Sequence, residues 1–254
     1  SRSPFLYAEN IIGDVFDSER FKSVLLEGKY DAVINCIGVL NKDAENNPSK
    51  AVYLNSYLPH LIADTLKATP TKLIHMSTDC VFKGNSGPYY ENSLCDGETF
   101  YDRTKALGEV NDKKNLTFRN SIIGPDINKN GIGLFNWFMK QKGTINGYTG
   151  AIWTGVTTLT LAKAMEKAIE EDLCGLYNLV NNETISKFDL LELFNKNFRN
   201  KKIIINVDKG LQLDKSLRNT RDDFKFKVPS YRQMILEINE WVEIHRHIYP
   251  HYNS

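Results

Sequence analysis

Lys72-Leu73-Ile74-His75-Met76-Ser77-Thr78-Asp79 reads as a buried strand that delivers three polar side chains, Ser77, Thr78 and Asp79, at its carboxyl end. Upstream, Asp31-Ala32-Val33-Ile34-Asn35-Cys36-Ile37-Gly38 is a compact apolar run closed by glycine, the pattern of a strand covered on both faces of a parallel sheet. Downstream, Leu116 to Pro125 reads as a further strand with a sharp Gly-Pro stop. Helical patterns separate the three. Ser18 caps a short helix over 19–27. Pro48 opens a helix to about Lys67 with apolar positions at Val52, Leu58, Leu61, Ile62 and Leu66, and Pro59 inside it forces a kink or a break. A third helix is expected from Thr99 to about Lys113. The alternation predicts an α/β fold with a doubly wound, Rossmann-like, mainly parallel sheet.

Beyond Gly124 the pattern changes. Helices are expected at 134–141, 158–171, 186–197 and 231–245, with strands at 175–180 and 202–207 between them. This suggests a small C-terminal α/β cap over 181–254, on a main domain made of 1–145 and part of 150–180. The polar stretch from Lys83 to Glu98 reads as an excursion over the surface.

Composition excludes several classes. A net charge of +1 on 254 residues, with 41% hydrophobic and 25% charged residues, gives no electrostatic reason to expect nucleic acid or a membrane surface as partner. Cys36, Cys80, Cys95 and Cys174 are scattered without zinc-ligand spacing, which suggests free, mostly buried thiols in a reducing compartment. No apolar run approaches the roughly 20 residues of a membrane span and no secretory signal is visible, so a cytoplasmic location is expected. His245, His247 and His251 are unevenly spaced and read as surface residues, leaving no metal site.

The chemistry centres on Tyr101-Asp102-Arg103-Thr104-Lys105, which sets a phenol and an ammonium on one helix face at i and i+4. A fixed positive charge lowers a phenol's pKa, and such a pair can move a proton to or from a substrate oxygen. Open α/β sheets bind ligands at the carboxyl ends of their strands. Candidate groups there are Asp14-Val15, Asn35 to Gly38, Ser77-Thr78-Asp79 and Arg119-Asn120-Ser121. Thr78, Tyr101 and Lys105 would form a triad able to hold a carbonyl oxygen and protonate it. His75, beside this site, reads as a satisfied core histidine.

These residues carry a resemblance. Tyr101-x-x-x-Lys105, the Ser-Thr-Asp-x-Val-Phe strand end 23 residues before the tyrosine, and Asn35-x-x-Gly38 resemble the extended short-chain dehydrogenase/reductase superfamily. Within it, His75 to Asn85, Phe118-Arg119-Asn120-Ser121 and Gly175 to Val180 look most like the dTDP-4-dehydrorhamnose reductase branch. The resemblance implies an NAD(P)H-dependent oxidoreductase that reduces the 4-keto group of a nucleotide-linked deoxysugar for surface polysaccharide synthesis. Tyr101 would be the general acid. Lys105 would hold the nicotinamide ribose and depress the tyrosine pKa, while Thr78 would orient the carbonyl.

It further implies that Asp14 and Val15 lie near adenine, and that Asn35, Cys36, Ile37, Gly38 and Ser77 line the cofactor trough. Asn55 reads either as a neighbour of that trough or as a helix-to-loop brace. Arg2 sits where a 2′-phosphate would be met, a hint of NADP over NAD, or is simply solvated. On the substrate side stand Asp79, Val81, Phe82, Arg119, Asn120 and Trp153. Asp79 reads equally as tuning the site or as accepting loop amides, and Trp153 as a stacking surface or as packing. A magnesium ion at a homodimer contact follows from the branch alone.

One part of the pattern is absent: no strand runs into a glycine-rich turn against the pyrophosphate. The chain is therefore expected either to continue a longer product that supplies about 30 to 40 residues of a first βαβ unit, the reading that the intact Asp14 and Thr78/Tyr101/Lys105 set favours, or to be a degenerate relative. Two other readings share these motifs. One is a sugar-nucleotide epimerase or dehydratase with tightly bound NAD. The other is a non-catalytic subunit resembling the regulatory subunit of methionine adenosyltransferase.

Overall fold

Three of those strand patterns meet a fourth in one sheet. The computed structural model describes residues 7–252, and Arg2 lies outside them. The strands β1 (Ala32–Asn35), β2 (Lys72–Ser77) and β3 (Leu116–Arg119), followed by Gly175–Asn178, are adjacent in that order and all parallel. Register aligns their carboxyl ends: Asn35 faces His75, Ser77 faces Arg119, and Arg119 faces Asn178. Along β2, alternate residues enter opposite layers. Leu73 joins a cluster with Leu54, Leu58, Ile62 and Tyr101, whereas Ile74 joins one with Phe118, Phe135, Phe194 and Met234.

The break expected at Pro59 takes a specific form. An α-turn over Pro48–Ala51 passes into a π-helix over Val52–Tyr57 before regular helix resumes at Leu58–Thr65. Proline brings no N–H for the carbonyl of Asn55 four residues earlier, and its ring would crowd that oxygen, so the wider turn relieves both problems. The tyrosine helix is shorter than expected. It runs over Phe100–Leu107 behind a reciprocal Thr99/Asp102 capping box and ends at Gly108, where the backbone passes so close to Asn55 that an added Cβ would lie 1.9 Å from its carbonyl oxygen.

Other boundaries differ too. Asp17, not Ser18, caps the first helix, Ser18–Glu27, by accepting the Arg20 N–H at 3.2 Å. The single strand expected from Leu116 is broken at Asn120, whose amide donates to the neighbouring Ser121 carbonyl at 3.2 Å and so competes with the ladder. Ser121–Ile123 then pairs with Gly155–Thr157 instead. The stretch from Lys83 to Glu98 is no free excursion. Tyr89 stacks on Phe82 at 4.1 Å, and its backbone pairs with Ser216 and Arg218 at 2.7 and 2.8 Å.

The later helices form at Leu134–Met139, Thr158–Glu170, Lys187–Phe198 and Tyr231–Ile244. Small sheets tie them together. Thr144–Tyr148 pairs with Ile204–Asp208, and Ala151–Trp153 lies between Ile185–Ser186 and Leu213–Asp214. The four cysteines are unpaired; Cys36 is exposed and the others are half-buried, rather than mostly buried. Among the described residues no helix is long and apolar enough to cross a membrane.

Candidate functional site

The capping box fixes the first turn of the tyrosine helix, and Ser56 Oγ donates to the Thr104 carbonyl at 2.8 Å to press that helix against the π-turn. Tyr101 and Lys105 thereby face the ends of β1 and β2, and both are buried. Thr78 follows β2 directly. Its hydroxyl donates to Asp79 Oδ1 at 3.1 Å and accepts the Cys80 N–H at 3.1 Å, and it lies close enough to the Tyr101 phenol to pull that group's pKa down. The three residues of the expected triad are thus gathered at one strand end. Asp79 engages the Thr78 hydroxyl through its carboxylate.

Electrostatics differ from expectation. Burial pushes the Tyr101 phenol above its usual range, the Cys80, Asp79 and Asp102 charges add to this, and only the Thr78 hydroxyl opposes it. The depression expected from Lys105 does not prevail, because that side chain turns instead to the Met76 carbonyl and to His75 Nε2 at 3.5 Å. Burial lowers Lys105 to about 8, against the opposing charges of Glu109 and Cys36. His75 is fully buried, and desolvation followed by the Lys105 and His60 charges holds it well below its ordinary value, so it is neutral.

A cleft of about 390 Å³ opens at the carboxyl end of β1. Asp14, Val15, Cys36, Ile37 and Gly38 line it, together with Gly13. Five of the expected cofactor residues therefore share one concavity, with backbone left bare at Gly13 and Gly38, a surface suited to an extended dinucleotide. A larger cleft of about 730 Å³ lies at the opposite, amino ends of β1 and β2, lined by Lys29, Asp31 and Lys72, away from the acid–base pair.

The remaining candidates divide. Asn35 is buried beneath the cleft, bonded to His75 and to the Ile37 N–H. Asn55 braces helix to loop, with its amide on both backbone groups of Val39 and on Thr104. Ser77 donates to Glu109 at 2.5 Å. Val81 and Phe82 are fully buried packing residues. Arg119 is held by Glu109, with Nε–Oε1 at 2.9 Å and Nη2–Oε2 at 2.6 Å, and reaches the Tyr90 and Glu91 carbonyls. Its donors are therefore committed to the protein. Trp153 is 4% exposed, lies against Tyr231, and carries the Lys187 ammonium 5.1 Å from its ring centroid, so it packs rather than offers a free face. Asn120 does keep an open valence: its buried Oδ1 has no partner among the described residues. Nor, among those residues, is there a cluster of three or more His, Cys, Asp or Glu able to hold a metal ion.

Sequence reasoning missed Glu109, which joins the ends of β2 and β3. Glu109 lies just past the Gly108 cap, so helical spacing gave no signal for it.

Known proteins resemble this chain. A dTDP-4-dehydrorhamnose reductase of Salmonella typhimurium is 28% identical over 200 residues, covering 74% of this chain and 67% of that one. Another, of Streptomyces griseus, is 34% identical over 98 residues, covering 38% of this chain and 32% of its relative, so that match spans about a third of the Streptomyces protein. The crystal structure of a dTDP-4-dehydrorhamnose reductase of Bacillus anthracis in complex with NADP is similar with a TM-score of 0.77 at 19% identity, over 91% of this chain and 86% of that one, which establishes the shared fold. The family described as the RmlD substrate binding domain matches residues 6–218, and it is to this family that the chain belongs.

Proposed function

We propose that this protein reduces the 4-keto group of a nucleotide-linked deoxyhexose at the expense of NADPH or NADH. The observation that carries the reading is the convergence of Thr78, Tyr101 and Lys105 beside the cleft of Asp14, Val15 and Cys36 to Gly38. Asp14 and Val15 would hold the adenine end, Cys36 to Gly38 the middle, and Lys105 the nicotinamide ribose. When bound, the nicotinamide supplies the hydride. Thr78 turns its hydroxyl from Asp79 to the carbonyl oxygen and fixes it. Tyr101, whose raised phenol keeps its proton at neutral pH, gives that proton to the same oxygen. This direction of transfer suits a reductase better than an oxidising epimerase, which would need the phenolate first. Asn120, next after the residue in register with Ser77, offers its unpaired Oδ1 to a sugar hydroxyl. Residues 181–254 serve as the substrate cap.

Mixing the protein with NADPH and dTDP-4-dehydro-6-deoxymannose is expected to bleach the nicotinamide absorbance. Tyr101→Phe should lower kcat by about 10²–10⁴-fold with an unchanged circular dichroism spectrum. Equal turnover in the variant would remove Tyr101 from the chemistry, and no bleaching by the wild type would sink the reductase reading.

A further inference from the structure

Asn35, His75 and Lys105 form a buried chain, with Asn35 Nδ2 3.2 Å from His75 Nδ1 and His75 Nε2 3.5 Å from Lys105 Nζ. Both ring nitrogens thus face groups that ordinarily donate. A neutral imidazole carries one N–H and one acceptor nitrogen, so it cannot accept from both. The orientation of Asn35 resolves the conflict. Its Oδ1 accepts the Ile37 N–H at 3.1 Å, and turning the amide over would set Nδ2 against that N–H. Nδ2 therefore donates to Nδ1, and the ring proton sits on Nε2, pointing at the lysine.

We propose that His75 is a positioning residue for Lys105: held by Asn35 in the tautomer with its proton on Nε2, it donates to the lysine nitrogen, which meets it as an uncharged amine. Lys105 donates an N–H hydrogen bond to the Met76 carbonyl and offers its lone pair to the ring. The other charges bearing on it are Glu109, one turn further along, and Cys36 at the end of β1; His60 bears on the ring. Glu109 is already committed to Arg119 and Ser77. Burial lowers Lys105 to about 8 against the opposing charges of Glu109 and Cys36, and a donor facing its nitrogen favours the uncharged amine further. A dinucleotide presenting ribose oxygens would then take up Lys105 as an ammonium, and its binding would draw about one proton from solution. That last consequence rests on the reductase reading, whereas the resting protonation state does not.

The test needs no cofactor. Long-range proton–nitrogen correlation of the histidine ring in the wild type is expected to report the Nε2–H tautomer. The Lys105 side-chain carbon resonance, assigned by its loss in Lys105→Met, should titrate below about pH 7. His75→Met removes the donor and should raise that midpoint by about one pH unit or more, a tenfold change in the equilibrium. Asn35→Asp puts an acceptor opposite Nδ1 and should reverse the tautomer. An Nδ1–H tautomer in the wild type overturns the proposal even if neither variant folds, as does a Lys105 midpoint that His75→Met leaves in place. The expected tautomer and shift with no reductase activity in any sample would uphold the proposal and count against the function alone.

Discussion

Cys36 sits directly after Asn35, exposed on the wall of the candidate dinucleotide cleft. Partial burial pushes its thiol above the ordinary range, so attack on an electrophile is slow at pH 7 and faster at pH 9. Cys80, beside Tyr101, is pushed further, to about 12, by burial and by the Asp79 charge. A maleimide is therefore expected to reach Cys36 before Cys80, and saturating NADPH to slow labelling of Cys36 at least tenfold by peptide mass spectrometry. Equal rates with and without NADPH would move the dinucleotide out of this cleft. At this scale Thr78, Tyr101 and Lys105 were legible in the sequence because helical spacing and a strand end place them. His75 was legible as a satisfied core histidine, and it is buried with a partner at each ring nitrogen; that Asn35 is one of them was not, because the register of β1 on β2 sets that pairing and no single strand reveals it.

The π-turn and the end of the tyrosine helix form one joint. Gly108 passes beneath the Asn55 carbonyl, and an added methyl would meet that oxygen and the backbone behind it. Gly108→Ala is expected to cost roughly 1–3 kcal/mol and to lower Tm by several degrees in a chain of this size. Gly133→Ala, which meets nothing within 4 Å, should leave Tm nearly unchanged. Equal melting of the two variants would show that the joint yields freely. Long elements with clear periodicity or caps were readable: the helices Thr158–Glu170 and Tyr231–Ile244 lie within two residues of expectation. The strands Leu213–Asp214 and Thr144–Tyr148 carry too little apolar pattern to be seen, since pairing with distant segments defines them.

Across the whole molecule, Glu109 and Arg119 hold the tyrosine helix, the sheet and the Lys83–Glu98 stretch together. The pair is nearly fully buried, and the guanidinium also lies 4.9 Å over the Phe82 ring. Glu109→Gln leaves that cation without its counter-charge and is expected to cost about 3–5 kcal/mol in chemical denaturation. Adding Arg119→Met should restore much of the loss. Additive losses in the double variant would show that the two residues act independently.

The clamp at Glu91 gives this assembly an order in time. Its carboxylate accepts the Thr220 hydroxyl at 2.7 Å across 129 residues of chain, and the Asn178 N–H at 3.1 Å across 87. Loops of that length close late, after local helices and neighbouring strands have formed. During synthesis Thr78, Tyr101 and Lys105 all leave the ribosome long before Thr220 does. Those three residues thus emerge early, while the Glu91 clamp between Asn178 and Thr220 closes only once the last quarter of the chain is made.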